Sequence, residues 1–253
     1  MRSRIPTGAA IAATLAIAVA AGGAQPAAAA RFDPRVHGLH FVNVFKGEIL
    51  VTIPRIGTVD LAKYPFGLCG GMAFAALDTF LAGGEAPADT RPPSPGDRLR
   101  RYLRERLLDS LVPDGARVVF KFIAWMARPL EDKDLFVGKF DGLRSLTRKE
   151  LEKPIHPSLQ AGRPIPIGIV KVDFSRPPWE NHTVLAVGDF KDAAGSWVVE
   201  VYDPNFPDRI TYLHVGRRVQ TYDRAGKEQV RGSKPWRGLF AIPYRYEKPY
   251  WVS

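Results

Sequence analysis

The stretch Cys69-Gly70-Gly71-Met72-Ala73-Phe74-Ala75-Ala76-Leu77-Asp78-Thr79-Phe80-Leu81 constrains this chain more than any other. It has the length of a helix and is apolar around nearly its whole circumference, so it has no polar face to turn to water and must lie inside the protein. Gly83-Gly84 ends it, and the run to Asp97, with Pro87, Pro92, Pro93 and Pro95, reads as an irregular loop. The fold must therefore be built around a central helix whose first residue is the only cysteine of the chain.

On either side of that helix the pattern changes character. Before it, Val36 to Asp60 reads as short strands or extended chain leading to a loop at Lys63-Tyr64-Pro65-Phe66-Gly67. After it, Asp97 occupies an N-cap position ahead of Leu99, Leu103, Leu107 and Leu111, whose spacing predicts an amphipathic helix. The arginines between those leucines read as its solvated face. A further helix is expected over Ala116–Ala127, after Pro113-Asp114-Gly115, and a short one from Thr147, where Thr147-x-x-Glu150 has the form of a capping box. Beyond Pro157, β-branched runs separated by turn residues predict strands at Ile165–Phe174, Thr183–Phe190, Ser196–Tyr202, Ile210–Val215 and Gly238–Tyr244. Turns are expected at Asp192–Gly195 and Asp223–Gly226. Helices first and antiparallel strands second describe an α+β domain.

The amino terminus reads as a secretory signal peptide over residues 1–30: Arg2 and Arg4, an uncharged apolar run from Ala9 to Ala20, and small residues at Ala28-Ala29-Ala30. That run is shorter than the roughly 20 residues a spanning helix needs, so no transmembrane segment is expected in the mature form. Residues 31–253 are enough for one domain with a true core, placed outside the cytoplasm or at the cell envelope. A single cysteine in an exported chain forms no internal disulfide, so the core must hold the fold. The net charge of +10, or +8 without Arg2 and Arg4, favours anionic surroundings such as cell-envelope polymers. No motif specific for nucleic acid accompanies it, and no phosphate-binding glycine loop or metal-ligand spacing occurs.

A lone thiol outside the cytoplasm risks oxidation, so its position asks for a reason. A helix start favours the thiolate through free backbone N–H groups and the helix dipole. Gly67, Gly70 and Gly71 flank Cys69 without side chains, which would admit a substrate carbonyl and leave amides free to bind an oxyanion. Among the histidines, His182 opens the apolar strand Thr183-Val184-Leu185-Ala186-Val187 and can face a site at the strand mouth; His37, His40, His156 and His214 read as surface or packing residues. Asp203, ending the next strand in Val201-Tyr202-Asp203-Pro204-Asn205, falls at the same end of a hairpin and could orient the imidazole; Asp203-Pro204-Asn205 by itself also reads as a plain turn.

The order Cys, helical region, His, hairpin, Asp resembles the papain-like cysteine peptidase superfamily. Its pattern is most similar to the bacterial peptidases that process double-glycine leader peptides and to their secreted relatives. The resemblance rests on Gly67-Leu68-Cys69-Gly70-Gly71-Met72, Leu159-Gln160-Ala161-Gly162-Arg163-Pro164-Ile165, His182-Thr183-Val184-Leu185-Ala186-Val187-Gly188 and Val201-Tyr202-Asp203-Pro204-Asn205. It implies a helical part bearing the cysteine packed on a C-terminal antiparallel sheet, and a catalytic triad of Cys69, His182 and Asp203. It also implies a hydrolase or acyltransferase of the thiol-protease type, acting on an amide or peptide bond without metal or other cofactor. The partner expected is a peptide or protein substrate or a cell-envelope component. One departure stands out, because the glutamine that donates to the oxyanion in such enzymes would fall at Lys63, and no glutamine lies between Arg31 and Cys69. Lys63, Tyr64 and Asn43 are the candidate replacements. Two other readings keep the same residues: a non-catalytic binding module on this fold, and a transglutaminase-like acyltransferase.

Overall fold

The computed structural model describes residues 31–45, 50–53, 57–60, 67–112, 117–135, 138–216, 219–222 and 235–253. The expected signal peptide, the loop holding Lys63 and Tyr64, the turn at Pro113–Gly115 and the turn at Asp223–Gly226 lie outside the described residues.

The architecture is α+β. A hairpin of β1 (Leu50–Ile53) and β2 (Gly57–Asp60) precedes helices α1 (Cys69–Leu81), α2 (Arg98–Leu111) and α3 (Arg117–Met126). A second small hairpin, β3 (Lys133–Leu135) and β4 (Gly138–Phe140), leads to α4 (Leu143–Glu150). A π-helical turn at Leu151–Ile155 joins α4 to α5 (His156–Gln160). That turn contains Pro154, which has no N–H to give to a regular ladder. The remaining strands are β5 (Ile165–Val170), β6 (His182–Lys191), β7 (Trp197–Tyr202), β8 (Ile210–Val215), β9 (Val219–Tyr222) and β10 (Gly238–Ala241). They form one sheet in the order β10-β5-β6-β7-β8-β9, antiparallel throughout. Residues 31–45 contain turns and bends but no strand, since Val36, His37 and Gly38 donate back to the carbonyls of Asp33 and Pro34.

Helix α1 is buried on every side from Cys69 to Thr79, as its composition requires, and only its last residues reach the surface. Met72 and Ala75 pack with Leu99, Leu103 and Leu107 of α2. Ala73, Ala76 and Leu77 meet Leu185 and Tyr202 of the sheet, and Phe74 joins Val170, Phe122 and Phe240. Each such Leu, Met or Phe side chain contributes about 1.5–3 kcal/mol relative to exposure.

The glycines after Cys69 have a different purpose from the one the sequence suggests. A Cβ on Gly71 would stand 1.9 Å from the Leu103 carbonyl oxygen, and one on Gly70 would stand 2.2 Å from the Ser110 hydroxyl. Gly71 lets α1 touch the backbone of α2 and Gly70 makes room for the Ser110 side chain, so their missing side chains open space toward α2 and not toward a substrate. The Gly70 amide still faces the sulfur.

The arginines of α2 do not all form a solvated face. Arg106 is 1% exposed and Arg100 7%. The Arg106 guanidinium donates through Nε to Asp78 Oδ2 at 2.7 Å and through Nη2 to Asp78 Oδ1 at 3.0 Å, while Nη1 reaches Asp109 at 2.6 Å. Tyr102, Tyr244 and the Glu247 amide also donate to Asp78, at 2.9, 2.7 and 3.0 Å. Asp78 breaks the apolar run of α1 because it fastens α1 to α2 and to the C-terminal segment. Arg98 stacks on Tyr250 at 3.9 Å, so this face is partly a packing surface.

Asp97 does precede α2, but its side chain accepts from the Ser94 amide instead of capping the helix. Thr147 and Glu150 do not start a helix either, since α4 begins at Leu143. Their side chains accept the Leu239 and Ala241 amides at 3.2 and 3.0 Å. These amides belong to β10, the sheet's edge strand, so the helix blunts an edge that would otherwise be open to another strand. No helix among the described residues is long and apolar enough to cross a membrane.

Candidate active site

The site forms where the first turn of α1 meets the ends of β6 and β7. Cys69 is the first residue of α1, so its sulfur sits among amides that lack intrahelical partners. His182 opens β6, and Asp203 follows the last residue of β7. The pairing of Leu185 with Tyr202 sets the register of these two strands. Carried one step further it puts Asp203 opposite Val184, on the face that His182 shares by strand alternation.

The three side chains meet. His182 Nε2–H donates to Asp203 Oδ1 at 2.8 Å, with both side chains almost wholly buried. The Cys69 thiol lies close enough to the His182 ring for each to shift the other's protonation. The turn reading of Asp203-Pro204-Asn205 holds as well: Asp203 Oδ1 accepts the Asn205 amide at 2.9 Å and its carbonyl accepts the Phe206 amide at 2.8 Å. A turn that fixes its own aspartate also fixes the imidazole.

Electrostatics follow from this arrangement. Burial alone would push the Cys69 thiol up, but the His182 hydrogen bond and charge, joined by the Thr183 and Gly70 amides, hold it below its ordinary value. Burial alone would push His182 down, yet the charge and hydrogen bond of Asp203, followed by those of Cys69, bring it up to about 9. Both shifts favour a thiolate paired with an imidazolium.

Of the candidate oxyanion donors, Asn43 is brought to the site. It is fully buried, its Oδ1 accepts the Leu68 backbone N–H at 2.8 Å, and its own backbone N–H donates to the Pro204 carbonyl at 3.1 Å. One residue thus ties the chain just before Cys69 to the chain just after Asp203. Gly67, at φ +37°, lies so close that a Cβ there would stand 2.8 Å from Asn43 Oδ1, which is the requirement this glycine meets.

Sequence reasoning missed four neighbours. Asn205 has its side-chain amide 3.2 Å from His182 Nε2. Asn181, next to His182, accepts the Lys171 amide at 2.9 Å and donates to the Pro178 carbonyl at 2.9 Å, fixing the loop that enters β6. The Trp236 indole packs edge-on against the His182 ring with centroids 5.9 Å apart. Lys171 lies beside the same group, its charge attracted by Asp203 and Cys69. Asn205 closes the Val201–Asn205 stretch and Asn181 immediately precedes His182; nothing local marks Trp236 or Lys171. The other histidines sit elsewhere: His40 pairs with Asp208 at 2.5 Å, His156 with Asp189 at 2.8 Å, and His37 packs on Phe32 and Phe80. Among the described residues no cluster of His, Cys, Asp and Glu could hold a metal ion.

Fold and site together define an α+β protein with a buried thiol, imidazole and carboxylate in sequence. No family model matches the chain, and neither a curated protein nor a solved structure does.

Proposed function

We propose that this protein is an exported papain-like cysteine hydrolase or acyltransferase acting on an amide or peptide bond. The observation that carries this reading is the chain of contacts from Cys69 through His182 to Asp203, with the thiol's proton affinity lowered and the imidazole's raised. The Cys69 thiolate attacks the carbonyl carbon, and the amides at the start of α1 receive the developing oxyanion. His182, charged by the proton taken from the thiol, delivers it to the leaving amine as the carbon–nitrogen bond breaks. A thioester on Cys69 remains. Water, or an acceptor amine in the acyltransferase case, then gives a proton to His182 and attacks the thioester, and the thiol returns. Asp203 keeps Nε2 protonated throughout and stabilises the imidazolium.

Asn43 supports this reading from the side the sequence left open. It joins the two loops that carry the nucleophile and the carboxylate, and so keeps those two side chains in position relative to each other.

A peptide bearing a thiol-reactive group tests the proposal. It should label the folded protein rapidly at Cys69, label Cys69→Ala not at all, and label His182→Ala slowly. Equal labelling of the folded and the urea-unfolded chain would overturn it, because an activated thiol exists only in the folded site.

A further inference from the structure

We propose that Lys171 makes the site selective for substrates that carry a carboxylate beside the bond that reacts. This rests on the reading of Cys69 as the nucleophile. The strand β5 ends at Val170, and the next residue is held against the mouth of β6: Ile169 pairs with His182, and the Lys171 amide donates to Asn181 Oδ1 at 2.9 Å. Its ammonium lies 6.0 Å from the centre of the Trp236 ring, and that ring packs on His182. Lys171 and His182 thus flank one indole at the end of the sheet where β6 begins.

The surroundings of the ammonium explain what it would bind. Burial pushes the Lys171 pKa down, and the charges of Asp203, then Cys69, then Glu180 act against that. A cation partly removed from water gains from any further negative charge brought next to it, and a substrate carboxylate near Cys69 would be such a charge. A neutral group at that point leaves the desolvation as it is, and a cationic group adds repulsion. At separations of a few ångströms in a partly screened site, one charge pair is worth about tenfold in rate.

Two alkylating agents of nearly equal shape read this directly, iodoacetate and iodoacetamide. In each case the sulfur–carbon bond forms as iodide leaves. The wild-type protein should favour iodoacetate over iodoacetamide, and Lys171→Met should lower that preference about tenfold, while Lys171→Arg keeps it. His182 is present in all of these, so its own positive charge cancels from the comparison. Lys171→Gln repeats the measurement if Lys171→Met does not fold. An unchanged ratio in the neutral variants overturns the proposal. The iodoacetamide rate reports separately on the activated thiol, so a slow wild-type rate condemns the proposed function, whereas a fast rate with an unchanged ratio condemns only the role of Lys171.

The source of the carboxylate is distinguished by two matched probe pairs. An epoxide bearing a free carboxylate, compared with its carboxamide, reads a chain terminus. A peptidyl vinyl sulfone with Asp next to the reactive group, compared with Asn, reads an acidic side chain. A Lys171-dependent gain in either pair supports the proposal and names the source; no gain in both overturns it.

Discussion

Asp78→Asn removes a charge on which the middle of the helical layer converges. Asp78 accepts from Arg106 Nε and Nη2, Tyr102, Tyr244 and the Glu247 amide, and Arg106 is buried with it. The substitution keeps the volume but points an amide donor at groups that are themselves donors. Breaking a buried ion pair by removing one partner costs about 3–5 kcal/mol. Arg106 still has Asp109 at 2.6 Å and Glu247 at 3.6 Å, both about half exposed, so the lower end, about 3 kcal/mol, is expected. For a domain of this size that corresponds to a fall in melting temperature of about 6–12 °C. Thermal unfolding followed by circular dichroism and calorimetry measures it, with agreement between the two probes establishing two-state behaviour. The double variant Asp78→Asn with Arg106→Met should recover much of the loss, because an apolar side chain no longer leaves a buried charge behind. A loss below about 1 kcal/mol, or no recovery in the double variant, would refute the claim that this network fastens α1.

Three further outcomes follow from the packing and the charges. Gly71→Ala should destabilise by about 2–3 kcal/mol, because its Cβ would meet the backbone of Leu103, which cannot rotate away; a neutral result in denaturant titration would contradict the close α1–α2 contact. Thr147→Val leaves the buried Leu239 amide without its acceptor and should cost about 1–3 kcal/mol, with faster hydrogen exchange at that amide as the specific sign; unchanged exchange would argue against the edge cover. Since the folded pKa of His182 is raised from 6.5 to about 9, the stability it draws from Asp203 is complete below about pH 6.5 and is lost as pH rises through about 9. The stability gap between wild type and His182→Gln should therefore narrow between pH 7 and pH 10, and a gap that stays constant would contradict the assigned shift.

The parts of the fold that were legible in the sequence are those governed by short-range pattern. The all-apolar run of α1, the leucine spacing of α2 and the β-branched runs that became β5 to β8 and β10 each declare their period within a few residues. The meeting of His182 and Asp203 was legible for the same reason, since a hairpin brings the ends of consecutive strands together. What escaped were contacts between residues far apart in the chain. Thr147-x-x-Glu150 has a local meaning as a capping box, but β10, some ninety positions later, supplies amides that take both side chains instead. Gly70 and Gly71 look like an opening for substrate until α2 is laid against them. Arg106 looks solvated until Asp78, 28 positions earlier, is seen beneath it. Asn43 could be named as a candidate, but its link to Leu68 and Pro204 depends on three separate segments converging.

The pH dependence of Cys69 alkylation by iodoacetamide tests the central claim most directly. The account predicts fast alkylation already at pH 6–7, well below the titration of an ordinary thiol near 8.5, and a shift of the profile toward that ordinary value in His182→Ala. A single titration near 8.5 in the wild-type protein, unchanged in His182→Ala, would contradict an activated cysteine at the start of α1.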